Sequence, residues 1–138
     1  MLVSQWHLLS YYCTRSYYDL FRQDEIRTAE TVRDVSDRIP AEDATSVFCY
    51  NLNPSWYTYA GLFPCNRYCG WQNHYISLMP EIYDDLKNTF ETQPPRWLVL
   101  PVEPGELPDF IERMLDTAYR RVYENDQYTL FCLETVPA

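Results

Sequence analysis

The chain has 138 residues, enough for one domain with a core of its own, and it is 46% hydrophobic and 17% aromatic. This apolar content excludes intrinsic disorder, because a disordered chain lacks the apolar surface that offsets the entropy of ordering. The net charge of −9 repels phosphate backbones and argues against a nucleic-acid partner. No apolar run approaches the roughly 18 residues of a membrane span, and no signal-peptide pattern opens the chain.

Two segments differ in their hydrophobic pattern. Residues 1–22 are rich in aromatic side chains without a steady period, and we interpret them as an extended lead-in segment that packs on the domain. Residues 23–138 form a single α/β domain in this interpretation. Apolar residues spaced three or four apart predict an amphipathic helix over residues 24–39, which Pro40 ends, and the apolar run 46–50 predicts a buried strand.

Beyond residue 50, prolines mark the start or end of most predicted elements, because proline suits the first turn of a helix and interrupts a helix or strand elsewhere. The predicted elements are a helix from Pro54 to Ala60, a brief strand at 67–69, a helix from Pro80 to Pro94, a strand at 97–100, a helix from Pro108 whose apolar stripe reaches Val122, and a strand at 128–133.

This alternation of helices and strands predicts an α/β fold with three layers: a short, mainly parallel sheet with helices on both faces, in a Rossmann-like topology. The three glycines, Gly61, Gly70 and Gly105, form no phosphate-binding motif, so no nucleotide site is predicted. Ligands of open α/β sheets usually bind beyond the carboxyl ends of the strands. That rule directs attention to the long loop over residues 51–74.

The loop concentrates aromatic rings, amides and one guanidinium. Aromatic planes beside amides suit sugar rings, and a guanidinium suits a phosphate. Alternatively, the rings pack the loop onto the edge of the sheet while their hydroxyls find local partners. Both interpretations remain open from the sequence. The candidate binding residues are Asn51, Trp56, Tyr57, Tyr59, Arg67, Tyr68, Gln72 and His74.

No residue pattern indicates catalysis, a cofactor or a metal. Neither histidine stands in a nucleophile–base signature, and Cys65, Cys69 and His74 offer three ligands where a structural zinc site normally has four. Cys49 and Cys132 lie within apolar strand runs and are predicted to be buried thiols. Trp97 opens the strand at 97–100 and is predicted to be largely buried.

A longer pattern has three parts. The first is the run from Val47 to Tyr68, which contains Trp56-Tyr57 and Tyr59-Ala60-Gly61-Leu62. The second is Gln72, and the third is the segment Pro94-Pro95-Arg96-Trp97-Leu98-Val99. Over roughly residues 17–101, this pattern resembles the domain that follows the last transmembrane helix in some bacterial multi-spanning proteins. Those proteins are similar to membrane glycosyltransferases of the dolichyl-phosphate-mannose protein mannosyltransferase type.

The resemblance implies that the chain is the extracytoplasmic C-terminal part of an integral membrane protein, with its own transmembrane region as a partner. The catalytic acidic residues of such transferases lie on loops between transmembrane helices, so no catalytic residue carries over. We therefore expect a non-catalytic accessory domain that contacts a saccharide or a lipid-linked sugar. The alternative is a protein–protein interaction module of the cell envelope without a ligand. A stand-alone enzyme is the least favoured hypothesis.

Overall fold

The structure is a computed structural model that describes residues 2–134, except for the side chains of 2–8, 11, 12, 17, 18 and 21. The chain divides into two compact units, Met1–Glu30 and Thr31–Ala138. The first unit consists of helix, and the second contains the sheet and the remaining helices. The packing that we predict for the aromatic side chains at 6, 11, 12, 17, 18 and 21 lies outside the described residues.

Helix α1 runs over Leu2–Ser36 and corrects the prediction for the start of the chain. We predict an extended segment over 1–22, yet residues 2–22 are helical. The physical reason is that no proline or glycine occurs before Pro40, so nothing interrupts backbone hydrogen bonding although the side chains lack a steady apolar period. The predicted helix over 24–39 is therefore the last part of α1, and it ends three residues earlier than expected.

Four strands form one mixed sheet in the order β1-β2-β4-β3. Strand β1 pairs with β2 in parallel, whereas β2 with β4 and β4 with β3 are antiparallel. The α/β class of the prediction is confirmed. The strands are Val47–Cys49 (β1), Trp97–Pro101 (β2), Tyr119–Glu124 (β3) and Tyr128–Leu133 (β4).

The predicted mainly parallel arrangement holds only for the β1–β2 pair. The difference arises at β3, which we predict as the end of a helix that reaches Val122. Helix α5 instead ends at Thr117, and β3 and β4 follow as a hairpin. A connection as short as residues 125–127 can join only antiparallel neighbours, which sets the direction of β4 beside β2.

Three of the four remaining α-helices begin directly after a proline, as predicted, and the fourth is a helix that the sequence did not predict. Helices α2 and α4 confirm the predictions after Pro54 and Pro80, and α5 follows Pro108. Helix α3 lies where no helix is predicted, and the brief strand predicted at 67–69 is irregular backbone. The bounds are Ser55–Ala60 (α2), Gln72–Leu78 (α3), Glu81–Thr92 (α4) and Asp109–Thr117 (α5).

The sheet has helices on both faces, as predicted. Alternate residues of each strand point to opposite faces, so Phe48 and Leu98 pack with Phe90 of α4 and Ile111 of α5. On the other face lies a second buried cluster. Its members come from the end of α1, from α2 and from the strands: Val32, Val35, Val47, Cys49, Trp56, Tyr57, Trp97, Val99 and Leu130.

Three predictions of burial concern single side chains. Trp97 is largely buried, with 7% of its surface exposed, and its indole Nε1 donates a hydrogen bond to Asp43 at 2.8 Å. Cys49 is fully buried. Cys132 is only half-buried, which corrects the prediction, because it packs against the second cluster from outside and is not one of its buried members.

Candidate functional site

The loop after β1 closes the outer edge of that strand. An edge strand exposes backbone groups that pair with no other strand. In this protein the Cys49 N–H donates to the Tyr57 hydroxyl at 2.9 Å, and the Cys65 N–H donates to the Val47 carbonyl at 3.3 Å. Burial is the main cause that raises the pKa of Tyr57, so its hydroxyl stays protonated. Part of the loop therefore packs on the sheet edge.

Gln72 holds the two ends of this loop together. Its side chain is 1% exposed, and its amide nitrogen donates to the carbonyl oxygens of Cys49 at 3.1 Å and Tyr68 at 2.7 Å. Its amide oxygen accepts the Asn51 N–H at 2.5 Å. Asn51 has a φ of +56°, a conformation that asparagine tolerates better than most residues. Asn51 and Gln72 are thus brought together, but as structural partners.

Two of the predicted binding residues lie in the core. Trp56 is buried and its ring meets Tyr128 edge to face at 6.3 Å. Among the described residues, its indole N–H has no hydrogen-bond partner. Tyr57 is buried beneath the same loop. Neither ring is accessible to a sugar, so the packing interpretation describes these two residues.

Arg67 and Tyr68 form an exposed cluster with Asp85 of α4. The guanidinium lies 2.5 Å from the Asp85 carboxylate and donates to the Tyr68 hydroxyl at 2.8 Å. The Tyr68 hydroxyl also donates to Asp85. The Tyr68 hydrogen bond and then the Arg67 hydrogen bond lower the pKa of Asp85. Because a carboxylate already neutralises Arg67, this cluster is poorly suited to a phosphate.

Tyr59 and His74 lie apart from that cluster. Tyr59 of α2 is half-buried and packs against the second core cluster. His74 of α3 is exposed, and its ring centroid lies 5.6 Å from that of Tyr75. The structure therefore distributes the eight predicted residues over the core, the strand edge and the surface. It does not bring them together into one pocket.

A surface depression lies where the chain leaves the two parallel strands. It has a volume of about 470 Å³. One side comes from α3 and α4, and the other comes from the connection between β2 and α5. Its lining residues are Asn73, Ile76, Ser77, Tyr83, Glu106, Leu107, Pro108 and Asp109. This is the position at which open α/β sheets usually bind ligands.

Asn73 links the two sides of the depression. Its amide nitrogen donates to the Glu106 carbonyl at 3.0 Å, and its amide oxygen accepts the hydroxyl proton of Tyr50, the residue after β1. Burial and then the neighbouring Tyr83 raise the pKa of Tyr50, so its hydroxyl remains a donor. The Asn73 N–H donates to the Asn51 side chain at 3.3 Å. These contacts hold Asn73 between the two sides of the depression.

Three polar groups of the depression are left for a ligand. The Tyr83 hydroxyl and the carboxylates of Glu106 and Asp109 make no hydrogen bond or ion pair with another residue of the described range 2–134. The Tyr83 ring is fixed edge to face on Phe110, with ring centroids 5.4 Å apart. Carboxylates accept hydrogen bonds from hydroxyl groups and repel anions. The free groups thus suit a neutral ligand rich in hydroxyls.

Sequence reasoning did not find Asn73, Tyr83, Glu106 or Asp109. From the sequence alone, the carboxyl ends of the strands indicate only the loop after β1 as a binding site. Strand β2 is the parallel partner of β1, so the same rule also indicates the connection after β2, which contains Glu106 and Asp109. Tyr83 is not among the candidate binding residues, because only the packing of α4 shows that this residue lines the depression.

Within the described part of the chain, no three His, Cys, Asp or Glu side chains lie close enough to hold a metal ion. Over the same residues, no helix is long and apolar enough to cross a membrane. Comparison of the chain with protein-family models, with curated proteins and with solved structures finds no match.

Proposed function

We propose that this chain is a non-catalytic accessory domain of a membrane glycosyltransferase-like protein, on the extracytoplasmic side, and that it holds a neutral saccharide. The observation that supports the saccharide is the depression at the carboxyl ends of β1 and β2, with the unpaired groups of Tyr83, Glu106 and Asp109. The membrane context rests on the resemblance of residues 17–101 alone.

The charge of the depression favours the sugar over a phosphate. Glu106 and Asp109 border it, and neither forms an ion pair with a described cation. A phosphate placed between two carboxylates would be repelled, whereas sugar hydroxyls can donate to both. In a lipid-linked sugar the domain would therefore contact the sugar and leave the phosphate to another part of the protein.

Binding to such an open site is expected to be weak, with a Kd of about 1 mM, because few groups contact the ligand and much of it stays in water. The test is an NMR titration of the isotope-labelled chain with uncharged mono- and oligosaccharides. We expect shifts of the backbone amides of Asn73, Ser77, Glu106, Leu107 and Asp109, and none at Tyr59 on α2.

Two variants sharpen the titration. Tyr83→Phe removes one hydrogen-bonding hydroxyl, and Glu106→Gln replaces a charged acceptor with a weaker neutral one. Each should weaken binding by about threefold to tenfold. Matched controls are Tyr59→Phe and Glu91→Gln, which alter a tyrosine and a glutamate outside the depression. If no saccharide shifts these amides, or if the controls weaken binding equally, the proposed binding site is wrong.

The non-catalytic role has its own test. The purified chain is incubated with polyprenyl-phosphate sugars and candidate acceptors, and products are sought by mass spectrometry. We expect none, because no residue in the depression is placed as a base beside a group that stabilises a leaving phosphate. Sustained turnover that disappears when one acidic residue is changed would contradict the accessory role.

A protein-docking role is the second candidate, and a separate surface supports it. Phe63 is 73% exposed beside a shallow depression of about 500 Å³ that is mostly apolar. An exposed aromatic ring next to an apolar hollow is typical of protein contacts. Loss of a complex with the transmembrane region in Phe63→Ser, with saccharide binding intact, would favour this role.

A further inference from the structure

Helix α3 carries an apolar surface on its exposed side. Trp71 directly precedes the helix, Tyr75 and Leu78 share one side of it at a spacing of three residues, and Met79 directly follows it. Their exposed fractions are 46%, 42%, 64% and 42%. We call these four residues the α3 apolar face. The inward side of the same helix carries the buried Gln72 and the half-buried Ile76, so these four apolar residues are not needed to pack the helix on the core.

The backbone before α3 holds Trp71 outward. Trp71 has a φ of +48°, which is a rare conformation for a bulky residue. Its N–H donates to the Leu52 carbonyl at 3.2 Å. Gly70 touches the same carbonyl so closely that a Cβ atom would lie 2.6 Å from the Leu52 oxygen. A strained conformation that the surroundings enforce in this way commonly marks a functional position.

The charge around this face points to a neutral partner. From Tyr68 to Pro80 the sequence contains no Asp, Glu, Lys or Arg, although the whole chain has a net charge of −9. Acidic residues resume at Glu81. They would repel anionic headgroups, and the face itself offers no charge to pair with a charged protein surface. A neutral, apolar surface is the complementary one.

We propose that the α3 apolar face rests on the interfacial layer of a lipid bilayer with neutral headgroups. Trp and Tyr favour this layer because each joins an apolar ring to one polar tip, and Leu and Met add apolar area between them. A short helix lying in the plane of the interface buries this kind of face without crossing the bilayer. The proposal extends the membrane location in the proposed function, but its test does not require saccharide binding.

Vesicle flotation with the full chain tests the proposal. We expect the chain to float with phosphatidylcholine vesicles, to float less when part of the lipid is anionic, and to change little with added salt. The double variant Trp71→Ser/Leu78→Ser should reduce the floated fraction by about tenfold, since it removes half of the face. Val102→Ser/Val122→Ser is the matched control, because it removes two exposed apolar side chains elsewhere and should float like the native chain.

Fluorescence locates the contact. In a Trp6→Phe background, brominated phosphatidylcholine should quench Trp71, whereas the buried Trp56 and Trp97 should be unaffected. Circular dichroism of each variant establishes that it is folded. Failure of the native chain to float, or equal flotation of the folded double variant, would overturn the proposal. Self-association that depends on Trp71 without lipid binding would overturn it in favour of a second copy of this chain.

The two proposals fail separately. Flotation without saccharide-induced shifts would reject only the sugar site at Tyr83 and Glu106. Saccharide-induced shifts without flotation would reject only the bilayer contact. The two sets of residues do not overlap, because the depression is lined by Asn73, Ile76 and Ser77 of α3 and not by the α3 apolar face.

Discussion

The hydroxyl oxygen of Tyr57 accepts the backbone N–H of Cys49 at 2.9 Å, so a side chain takes the place of a neighbouring strand at the edge of β1. Tyr57 lies eight positions after Cys49 in the sequence. Helix α2 is the element that makes the bond possible, because it turns the chain back over the strand directly after Asn51. The position of α2 is thereby coupled to that of the sheet.

Replacing Tyr57 with Phe removes this acceptor and leaves the buried Cys49 N–H without a partner. We expect Tyr57→Phe to lower the free energy of unfolding by about 1–3 kcal/mol, the cost of an unsatisfied buried donor. Chemical denaturation measures the change. Tyr59→Phe, on the same helix but half-buried, is the control and should change the free energy by about 0.5 kcal/mol or less. Equal effects of the two variants would contradict the role of the hydrogen bond.

Gln72→Leu tests the side chain that joins the two ends of the loop. Leucine keeps most of the volume but leaves the Asn51 N–H and the carbonyls of Cys49 and Tyr68 without their partner. We expect a loss of about 1–3 kcal/mol and faster hydrogen exchange of the Asn51 amide. Gln127→Leu on the β3–β4 turn is the exposed control. An unchanged exchange rate at Asn51 would show that Gln72 does not hold the loop.

Trp97→Ala removes a large side chain from the second core cluster and also the hydrogen bond to Asp43. The expected loss is about 3–5 kcal/mol, from lost burial and from the cavity that remains. Trp71→Ala makes the same chemical change at an exposed position and should cost far less. Thermal melts of both variants compare the two positions. Similar midpoints would contradict the burial of Trp97.

Asp34 near the end of α1 is predicted to contribute to stability in a pH-dependent way. Hydrogen bonds from Tyr123 at 2.8 Å and Asn125 at 3.2 Å lower its pKa below the usual 3.8. The folded state therefore binds the proton less readily than the unfolded state does. The carboxylate stabilises the fold above pH 3.8, and this contribution is lost as the pH falls through the lowered pKa.

Thermal midpoints of the native chain and Asp34→Asn, measured from about pH 7 down to about pH 2, test this expectation. The native chain should be the more stable at neutral pH, and the difference should shrink in acid. Asp37→Asn, which alters an exposed neighbour on the same turn, serves as the control. A difference between native chain and Asp34→Asn that stays constant over the whole range would contradict the assignment.

The sequence predicted the elements whose apolar pattern agrees with their surroundings. Strands β1, β2 and β4 are short apolar runs, and α4 has its apolar stripe on the buried side, with Ile82, Leu86 and Phe90 in the core. Strand β3 was missed because Tyr119 and Val122 continue the helical spacing of α5. The end of α5 is set by the tertiary pairing of β3 with β4, which local spacing does not reveal.

Helix α3 was missed for the opposite reason, since Tyr75 and Leu78 face solvent while the polar Gln72 is buried. The candidate site was only partly predictable as well. The loop after β1 is where the sequence places it, and the carboxyl ends of the parallel pair do adjoin a depression. The roles of Gln72 and Asn73 depend on partners more than 20 residues away along the chain, such as Cys49 and Glu106, which no local pattern identifies.

The two outer strands of the sheet are protected in different ways, and this limits how the protein can associate with itself. At β1 the loop occupies the backbone groups of Val47 and Cys49. At β3 the register shifts between Arg121 and Tyr123, and the ion pair of Arg120 with Glu134 adds charge at the margin. An incoming strand would meet occupied backbone groups on one side and an irregular strand with charged side chains on the other. Both outer strands are therefore poor templates for pairing with a strand from another copy of the chain.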